Sequence, residues 1–179
     1  MVRSSNKSFG ILGGSFDPAH KGHLTISKIA IKKLKLDKVL WVVTKQNPFK
    51  GKTLYSLPQR LAKAKKITKN TKKIRVVHFE EDICSSRSID AINYLIHKKK
   101  LKNIYFIIGS DNLIKFHKWK SWKKIVKLTK LIVFSRSGYD RKSKKSTVAK
   151  FLKNKIIFIN NKPIPISSTK LRYRVKIKN

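Results

Sequence analysis

The chain has 179 residues and a formal net charge of +37, with 45 lysines and arginines against 8 acidic residues. This length suits one ordinary domain, and a hydrophobic content of 40% is enough to form a core, which argues against disorder. The single cysteine excludes an internal disulfide, no apolar run reaches the about 18 residues of a membrane span, and the N-terminus lacks the apolar core of a signal peptide. We therefore expect a single domain over residues 1–179, located in the cytoplasm and without membrane partners.

The positive charge comes mainly from lysines that are spread along the whole chain. A basic surface can bind nucleic acid by neutralising phosphates. A dedicated surface usually concentrates arginine and interleaves aromatic residues, whereas most lysines here occupy the polar positions of amphipathic segments. We therefore expect at most non-specific binding of nucleic acid, together with a field that attracts anionic substrates.

The predicted secondary structure alternates between apolar strands and amphipathic helices. Strands are predicted over 8–12, 38–44, 74–79, 104–109, 131–135 and 156–159. Helices are predicted over 21–35, 57–69, 88–99, 121–128 and 147–153, with another after Ser167. The helix starts are supported by candidate capping residues at Ser56, Ser88, Ser121 and Thr147. The remaining polar segment, 137–146, is predicted to be a long, mobile surface loop.

Continuous apolar strands that alternate with helices are typical of a parallel sheet covered on both faces. The sequence therefore predicts an α/β fold, a Rossmann-like doubly wound parallel sheet in a single domain. In such a sheet, ligands bind beyond the carboxyl ends of the strands, near the point where the strand order reverses.

The stretch GILGGSFDPAHKGHL, residues 10–24, lies where the first strand is predicted to give way to the first helix. Gly13 and Gly14 would let the backbone turn tightly, and Pro18 would stiffen the loop. His20 and His23 would share one face at the helix start, where imidazoles suit an anion. The chain has neither the glycine spacing of a dinucleotide fingerprint nor a GxxxxGK[ST] loop, so phosphates would be held in another way.

Three other interpretations of this stretch stay open when it is considered alone. It could be simple turn chemistry, the histidine pair could bind zinc, or His23 could be a hydrogen-bonded core residue. Zinc is disfavoured because the chain has no HExxH motif and no cysteine near the pair.

A second stretch, PISSTKLR at 165–172, predicts a donor-rich helix start. The hydroxyls of Ser167, Ser168 and Thr169, with Arg172 one turn later, suit phosphate oxygens. By itself, the same stretch is equally compatible with a helix cap followed by an exposed arginine.

Together the two stretches resemble the HxGH nucleotidyltransferase superfamily, whose members join GGSFDPxHxGH near the start to ISSTxxR near the end. Three middle segments, TKQNPFK (44–50), GSDNL (109–113) and FHKWKSW (116–122), are similar to those of bacterial nicotinate-nucleotide adenylyltransferases. The resemblance thus covers nearly the whole chain. It departs from the family at Phe49, where many relatives have Pro-His, and at Arg87–Asp90, where relatives read Tyr-Thr-Ile-Asp.

The resemblance implies transfer of the adenylyl group of ATP to nicotinate mononucleotide, giving deamido-NAD and pyrophosphate in NAD biosynthesis. The expected reaction is an in-line displacement without a covalent enzyme intermediate, and Mg²⁺ is expected to arrive with ATP rather than on protein ligands. The implied catalytic residues are His20, His23 and Arg172. The implied ATP site comprises Gly13, Gly14, Ser15, Phe16, His20, His23, Asp111, Ser168, Thr169 and Arg172. The implied mononucleotide site comprises Lys50, Ser88 and Trp119.

Two alternatives remain at this stage. A different acceptor, as in pantetheine-phosphate adenylyltransferases or cytidylyltransferases, is disfavoured by the tryptophan segment and by His20, because the pantetheine family usually has threonine there. A basic domain that binds RNA or DNA is the alternative outside enzymes. The sequence does not decide between a monomer and a homo-oligomer.

Overall fold

The structure, a computed structural model, describes residues 7–46, 51–162, 164–169 and 171–173. The strands are β1 (Phe9–Gly14), β2 (Lys38–Val43), β3 (Ile74–Val77), β4 (Ile104–Gly109), β5 (Lys130–Phe134) and β6 (Ile157–Ile159). The helices are α1 (Lys21–Leu34), α2 (Leu57–Thr68), α3 (Glu80–Ile83), α4 (Ser88–His97), α5 (Ser110–Lys115), α6 (Trp122–Leu128), α7 (Asp140–Lys144) and α8 (Thr147–Leu152). Short 3₁₀ turns cover Phe116–Lys118 and Lys153–Lys155. Residues 168, 169 and 171 to 173 are also helical.

The six strands form one parallel sheet in the order β3-β2-β1-β4-β5-β6, which confirms the predicted doubly wound α/β fold. Strand β1 pairs with β2 on one side and with β4 on the other. The strand order therefore reverses between β1 and β4. A crevice beyond the carboxyl ends of these two strands is the expected place for a ligand.

The core consists of two apolar layers, one on each face of the sheet. Neighbouring residues of β1 pack into opposite layers, with Ile11 in one and Leu12 in the other. Phe106 and Trp41 are buried in the two layers, at 1% and 0% exposure. Burial of each large apolar side chain contributes about 1.5–3 kcal/mol to folding. Packing on both faces therefore stabilises the sheet, including the ends of the strands beside the crevice.

The predicted helix starts at residues 21, 57, 88 and 147 are correct, and α6 begins one residue later than predicted. The predicted capping residues are less accurate than the starts. Ser56 and Gln59 form a reciprocal capping box at α2. The N-cap of α8 is Ser146, whose Oγ accepts the N–H of Ala149, rather than Thr147. Ser121 occupies the cap position of α6 without making a cap hydrogen bond, and the N-cap of α4 is the residue before Ser88. Placing the start of a helix from a serine or threonine is accurate only to within a residue, because these side chains also suit the first turn.

The prediction of a continuous loop over 137–146 is wrong, because α7 lies inside it. Asp140 Oδ1 accepts the N–H of Arg136, and Ser143 Oγ donates to the carbonyl of Asp140. Ser143 is fully buried. These local bonds satisfy the backbone of a short helix that apolar periodicity could not reveal.

Candidate active site

The chain leaves β1 through a tight turn at Ser15–Pro18, which follows the two glycines instead of containing them. Gly13 and Gly14 are paired with Val42 and Val43 as part of the strand, so the prediction that they form the turn is wrong. A Cβ on Gly13 would meet no atom within 4 Å, which means that open space lies beside the end of the strand. The glycines therefore contribute room rather than a turn.

Phe16 takes the strained conformation of the turn. Its φ of 47° is in the left-handed region, which is unfavourable for a residue with a side chain. Its buried ring stacks on Trp41, with centroids 5.0 Å apart, and lies 4.8 Å from the ring of His23. The aromatic packing thus fixes the turn against the start of α1.

The two histidines form the N-terminal cap of α1. Nδ1 of His20, the N-cap residue, accepts the N–H of Gly22 at 3.1 Å, and Nδ1 of His23 accepts the N–H of His20 at 3.2 Å. A ring nitrogen that accepts a hydrogen bond carries no proton, so the neutral imidazoles bear their protons on Nε2. The ring centroids lie 3.9 Å apart, and the two ring planes are inclined by 33°.

Gly22 is required between the two histidines. A Cβ at this position would lie 2.8 Å from both Nδ1 and Cε1 of His20. The ring of His20 therefore covers the backbone of Gly22, and a side chain there would displace it.

Asp17 is a buried carboxylate that ties three parts of the chain together. Its two oxygens accept the N–H groups of Leu54 and Tyr55, at 2.9 and 3.0 Å. Nη1 of Arg172 lies 3.6 Å from Oδ2 and donates at 2.8 Å to the backbone carbonyl of Asp17. The role of this aspartate follows from long-range contacts that its position in the motif does not reveal.

The second predicted donor-rich segment, within residues 165–172, contacts the turn at Ser15–Pro18. Oγ of Ser168 donates to the carbonyl of Pro18 at 3.0 Å, and Nη2 of Arg172 donates to Oγ1 of Thr169 at 3.2 Å. The structure thus brings the hydroxyls and the guanidinium of residues 168–172 next to the turn that precedes the histidine pair. Predicted site residues from opposite ends of the chain share one region.

Arg60 of α2 is an important residue that the sequence analysis missed. The side chain is 1% exposed and donates to four backbone carbonyls, those of Ser15, Thr44, Lys45 and Tyr55. Burial lowers the pKa of its guanidinium, and the charges of Asp17 and Glu80 oppose that shift. The spacing of four residues between Arg60, Ala64 and Thr68, the buried residues of α2, could have indicated that Arg60 lies on the buried face of the helix.

A cavity opens between the carboxyl ends of β1 and β2 and the start of α4. Its lining includes Gly13, Thr44, Phe106 and Ser88. Oγ1 of Thr44 is buried and has no hydrogen-bond partner among the described residues. Helix α4 begins without a side-chain cap hydrogen bond, and its residues Ser88 and Ala91 are part of the cavity lining.

Two other predicted site residues, Asp111 and Trp119, are not part of the lining of this cavity and have partners within the protein. Oδ2 of Asp111, just beyond the end of β4, accepts Nη1 of Arg136 at 2.5 Å. The ring of Trp119 packs edge-on against Phe106, with centroids 6.2 Å apart. The backbone N–H of Trp119 donates to the carbonyl of Phe116 and is therefore engaged within the protein. Lys50 lies outside the described residues.

Within the part of the chain that the structure describes, no group of three or more histidine, cysteine, aspartate or glutamate side chains could hold a metal ion. No helix in that part is long and apolar enough to cross a membrane.

Comparison with known proteins agrees with this arrangement. The cytidylyltransferase-like family profile matches residues 11–174. A probable nicotinate-nucleotide adenylyltransferase of Pelagibacter ubique (strain HTCC1062) is 52% identical over 96% of this chain and 95% of its own length. One of Clostridium novyi (strain NT) with the same description is 34% identical over 95% of this chain and 88% of its own length.

Solved structures share the fold. The Plasmodium falciparum nicotinic acid mononucleotide adenylyltransferase complexed with NaAD superimposes with a TM-score of 0.74 and 21% identity, over 93% of this chain and 83% of that one. The same enzyme complexed with APC gives a TM-score of 0.73 with the same coverage. From the profile match and the two relatives above, the chain belongs to the cytidylyltransferase-like nucleotidyltransferases and, among them, to the nicotinate-nucleotide adenylyltransferase family.

Proposed function

We propose that this protein transfers the adenylyl group of ATP to nicotinate mononucleotide, giving deamido-NAD and pyrophosphate. The observation that carries the proposal is the meeting of two donor-rich motifs. The histidine pair caps α1, and Arg172 binds the turn that immediately precedes it. Donors that converge beyond a topological switch point suit the polyphosphate of a nucleotide.

The chemistry is an in-line displacement. A phosphate oxygen of the mononucleotide forms a bond to the α-phosphorus of ATP, the bond from that phosphorus to the α–β bridging oxygen breaks, and pyrophosphate leaves with the electron pair. No protein nucleophile is required, because the attacking phosphate is already ionised. Catalysis then rests on positioning and on stabilisation of the charge that develops on the phosphates.

The neutral tautomer of the histidine pair supports this role. Nδ1 of His20 and of His23 accepts a backbone N–H, so the ring proton of each neutral imidazole is on Nε2, which is the nitrogen that would donate to a phosphate. Donors held in place before the reaction stabilise a developing charge without reorganisation. Neither histidine has to transfer a proton.

ATP would bind across the end of β1. The open space beside Gly13 leaves room for the nucleotide, and Ser168, Thr169 and Arg172 would contact the outer phosphates. Asp111 would serve the ribose from the end of β4. Ser15 and Phe16 would offer backbone groups of the turn to the phosphates.

Magnesium would be supplied with the substrate, as MgATP. The described residues hold no cluster of three potential ligands, and the carboxylate of Asp17 already accepts two N–H groups. This donor set fits a hydrated ion that stays on the phosphates, which is the usual way that Mg²⁺ accompanies a nucleotide. Bound there, the ion neutralises phosphate charge.

Nicotinate mononucleotide would occupy the cavity at the start of α4. The first-turn N–H groups of α4, beginning at Ser88, suit the pyridine carboxylate, because a helix N-terminus favours negative charge. The unpartnered hydroxyl of Thr44 adds a polar group to a mostly apolar lining. Trp119 would cover the pyridine ring, and Lys50 would bind the phosphate.

The direct test is to incubate the protein with ATP, Mg²⁺ and a panel of acceptor phosphates, including both pyridine mononucleotides, phosphopantetheine and glycerol 3-phosphate. Deamido-NAD and pyrophosphate in equal amounts are expected. Product with phosphopantetheine alone, or with none of the acceptors, would contradict the proposal. With this function, the expected location is the cytoplasm, where ATP is abundant.

A further inference from the structure

The peptide between Ser15 and Phe16 combines three unusual features. Phe16 is strained, with a φ of 47°. The residue is 2% exposed, yet its N–H has no acceptor among the residues that the structure describes. The carbonyl of the same peptide accepts a hydrogen bond of 2.6 Å from the buried guanidinium of Arg60.

An unused buried N–H is uncommon, because most buried backbone donors are paired. Strained residues likewise persist only where the surroundings hold them, and they cluster at ligand clamps. The coincidence of both features in one peptide points to a ligand that accepts from this N–H.

The direction of the N–H follows from peptide geometry. In a planar trans peptide, the C=O and N–H bonds point in opposite directions. The single cis bond among the described residues joins Asp17 to Pro18, so the Ser15–Phe16 peptide is trans. Because its carbonyl points at Arg60, its N–H points away from Arg60. The nitrogen of Phe16 lies 4.0 Å from where a Cβ on Gly14 would stand, so a side chain at Gly14 would contact this peptide.

Arg60 is suited to fix this direction. Its planar guanidinium also holds the carbonyls of Thr44 and Lys45, at 2.7 and 2.8 Å, and its Nε holds that of Tyr55 at 3.1 Å. A donor fork restrained at four points cannot rotate, and the peptide that it holds cannot turn over.

We propose that Arg60 is a positioning residue that, by holding the carbonyl of Ser15, directs the N–H of Phe16 at a phosphate oxygen of the bound nucleotide. The identity of the nucleotide and the contact of this turn with its phosphates rest on the proposed function, and the inference adds the donating atom and the role of Arg60. Arg60 itself touches no ligand.

The test is a titration of the full chain with inorganic tripolyphosphate, followed by ¹H–¹⁵N and carbonyl ¹³C NMR. In the wild type, the amide proton of Phe16 should move downfield, because it gains an anionic acceptor. The carbonyl resonance of Ser15 should stay in place, because its oxygen remains on Arg60. An amide that does not respond, or a carbonyl that shifts together with it, overturns the proposal.

Arg60→Lys and Arg60→Gln test the same point by substitution. Neither side chain can hold four carbonyls, so the response of Phe16 should be lost and the affinity for tripolyphosphate should fall about tenfold. The matched control is Thr68→Val, which removes another buried hydrogen bond of α2, to the carbonyl of Ala64, and should behave like the wild type. A normal Phe16 response in a folded Arg60 variant refutes the role of Arg60.

The two proposals fail separately. The titration uses neither ATP nor a mononucleotide and measures no turnover. An inactive protein whose Phe16 amide responds as expected would contradict the proposed function alone, and an active one whose amide is silent would contradict this inference alone.

Discussion

Arg172 donates a hydrogen bond of 2.8 Å to the backbone carbonyl of Asp17, 155 residues earlier in the chain. This contact joins the second donor-rich motif to the turn that precedes the histidine pair. The guanidinium makes a second bond, to Thr169, and lies near the carboxylate of Asp17. A planar fork can keep these protein contacts while a remaining N–H faces the phosphates.

Replacing Arg172 with lysine should therefore weaken the use of ATP. The ammonium keeps the charge but cannot hold the carbonyl of Asp17 and a phosphate in the same fixed geometry. We expect the KM for ATP to rise about tenfold, with little change in the KM for the mononucleotide. Steady-state kinetics of Arg172→Lys, with exposed Arg141→Lys as the matched control, make the comparison. An unchanged KM for ATP would place Arg172 outside the phosphate site.

His23→Ala should abolish most of the turnover and leave the fold intact. The substitution removes an Nε2–H donor, and loss of one such donor typically costs about 2.7–4 kcal/mol in the barrier, or a factor of about 10²–10³ in kcat. The N–H of His20 also loses its acceptor. Single-turnover rates, with circular dichroism to verify folding, are the measurement. The control, His97→Ala, removes an exposed histidine of α4 and should keep full activity; normal turnover in His23→Ala would refute the assignment.

Gly22→Ala should damage activity while it barely changes stability. Alanine favours a helix over glycine by about 1 kcal/mol, and this gain offsets part of the steric strain that its Cβ introduces. Its Cβ, however, would lie 2.8 Å from the ring of His20, which must move. We expect kcat to fall by more than about tenfold, because small misplacements of donors are costly. Thr25→Ala, at an exposed site of the same helix, is the control, and a fully active Gly22→Ala would mean that the position of the His20 ring does not matter.

Nicotinate mononucleotide should be used ahead of its amide counterpart. The N–H groups at the start of α4 can donate to both oxygens of a carboxylate, whereas the NH₂ of the amide would face them donor against donor. We expect kcat/KM to favour the acid by about tenfold or more. The measurement compares both mononucleotides at equal ATP and Mg²⁺. Equal values, or a preference for the amide, would show that α4 does not bind the carboxylate.

The α/β fold could be predicted from the sequence because its signals are local. Strands buried on both faces have continuous apolar runs, and the box formed by Ser56 and Gln59 is written within four consecutive residues. The proximity of the two histidines could also be predicted from the sequence, because side chains at positions 20 and 23 are neighbours at the start of any helix that begins there. Short helices such as α7 escaped prediction, because polar contacts rather than apolar periodicity hold them.

Only the tertiary structure decided how the candidate site is assembled. From the sequence, Asp17 could have been an exposed residue of a turn, and Arg60 could have been a basic residue on the solvent-exposed face of α2. The partners that bury these two side chains lie up to 155 residues away in the chain. The tertiary structure also left the start of α4 uncapped and engaged the N–H of Trp119. The physical reason is that a sequence pattern specifies what a side chain can bind and which face of its element it occupies. Which groups it meets there depends on how the sheet brings distant segments together, and hence on packing over the whole chain.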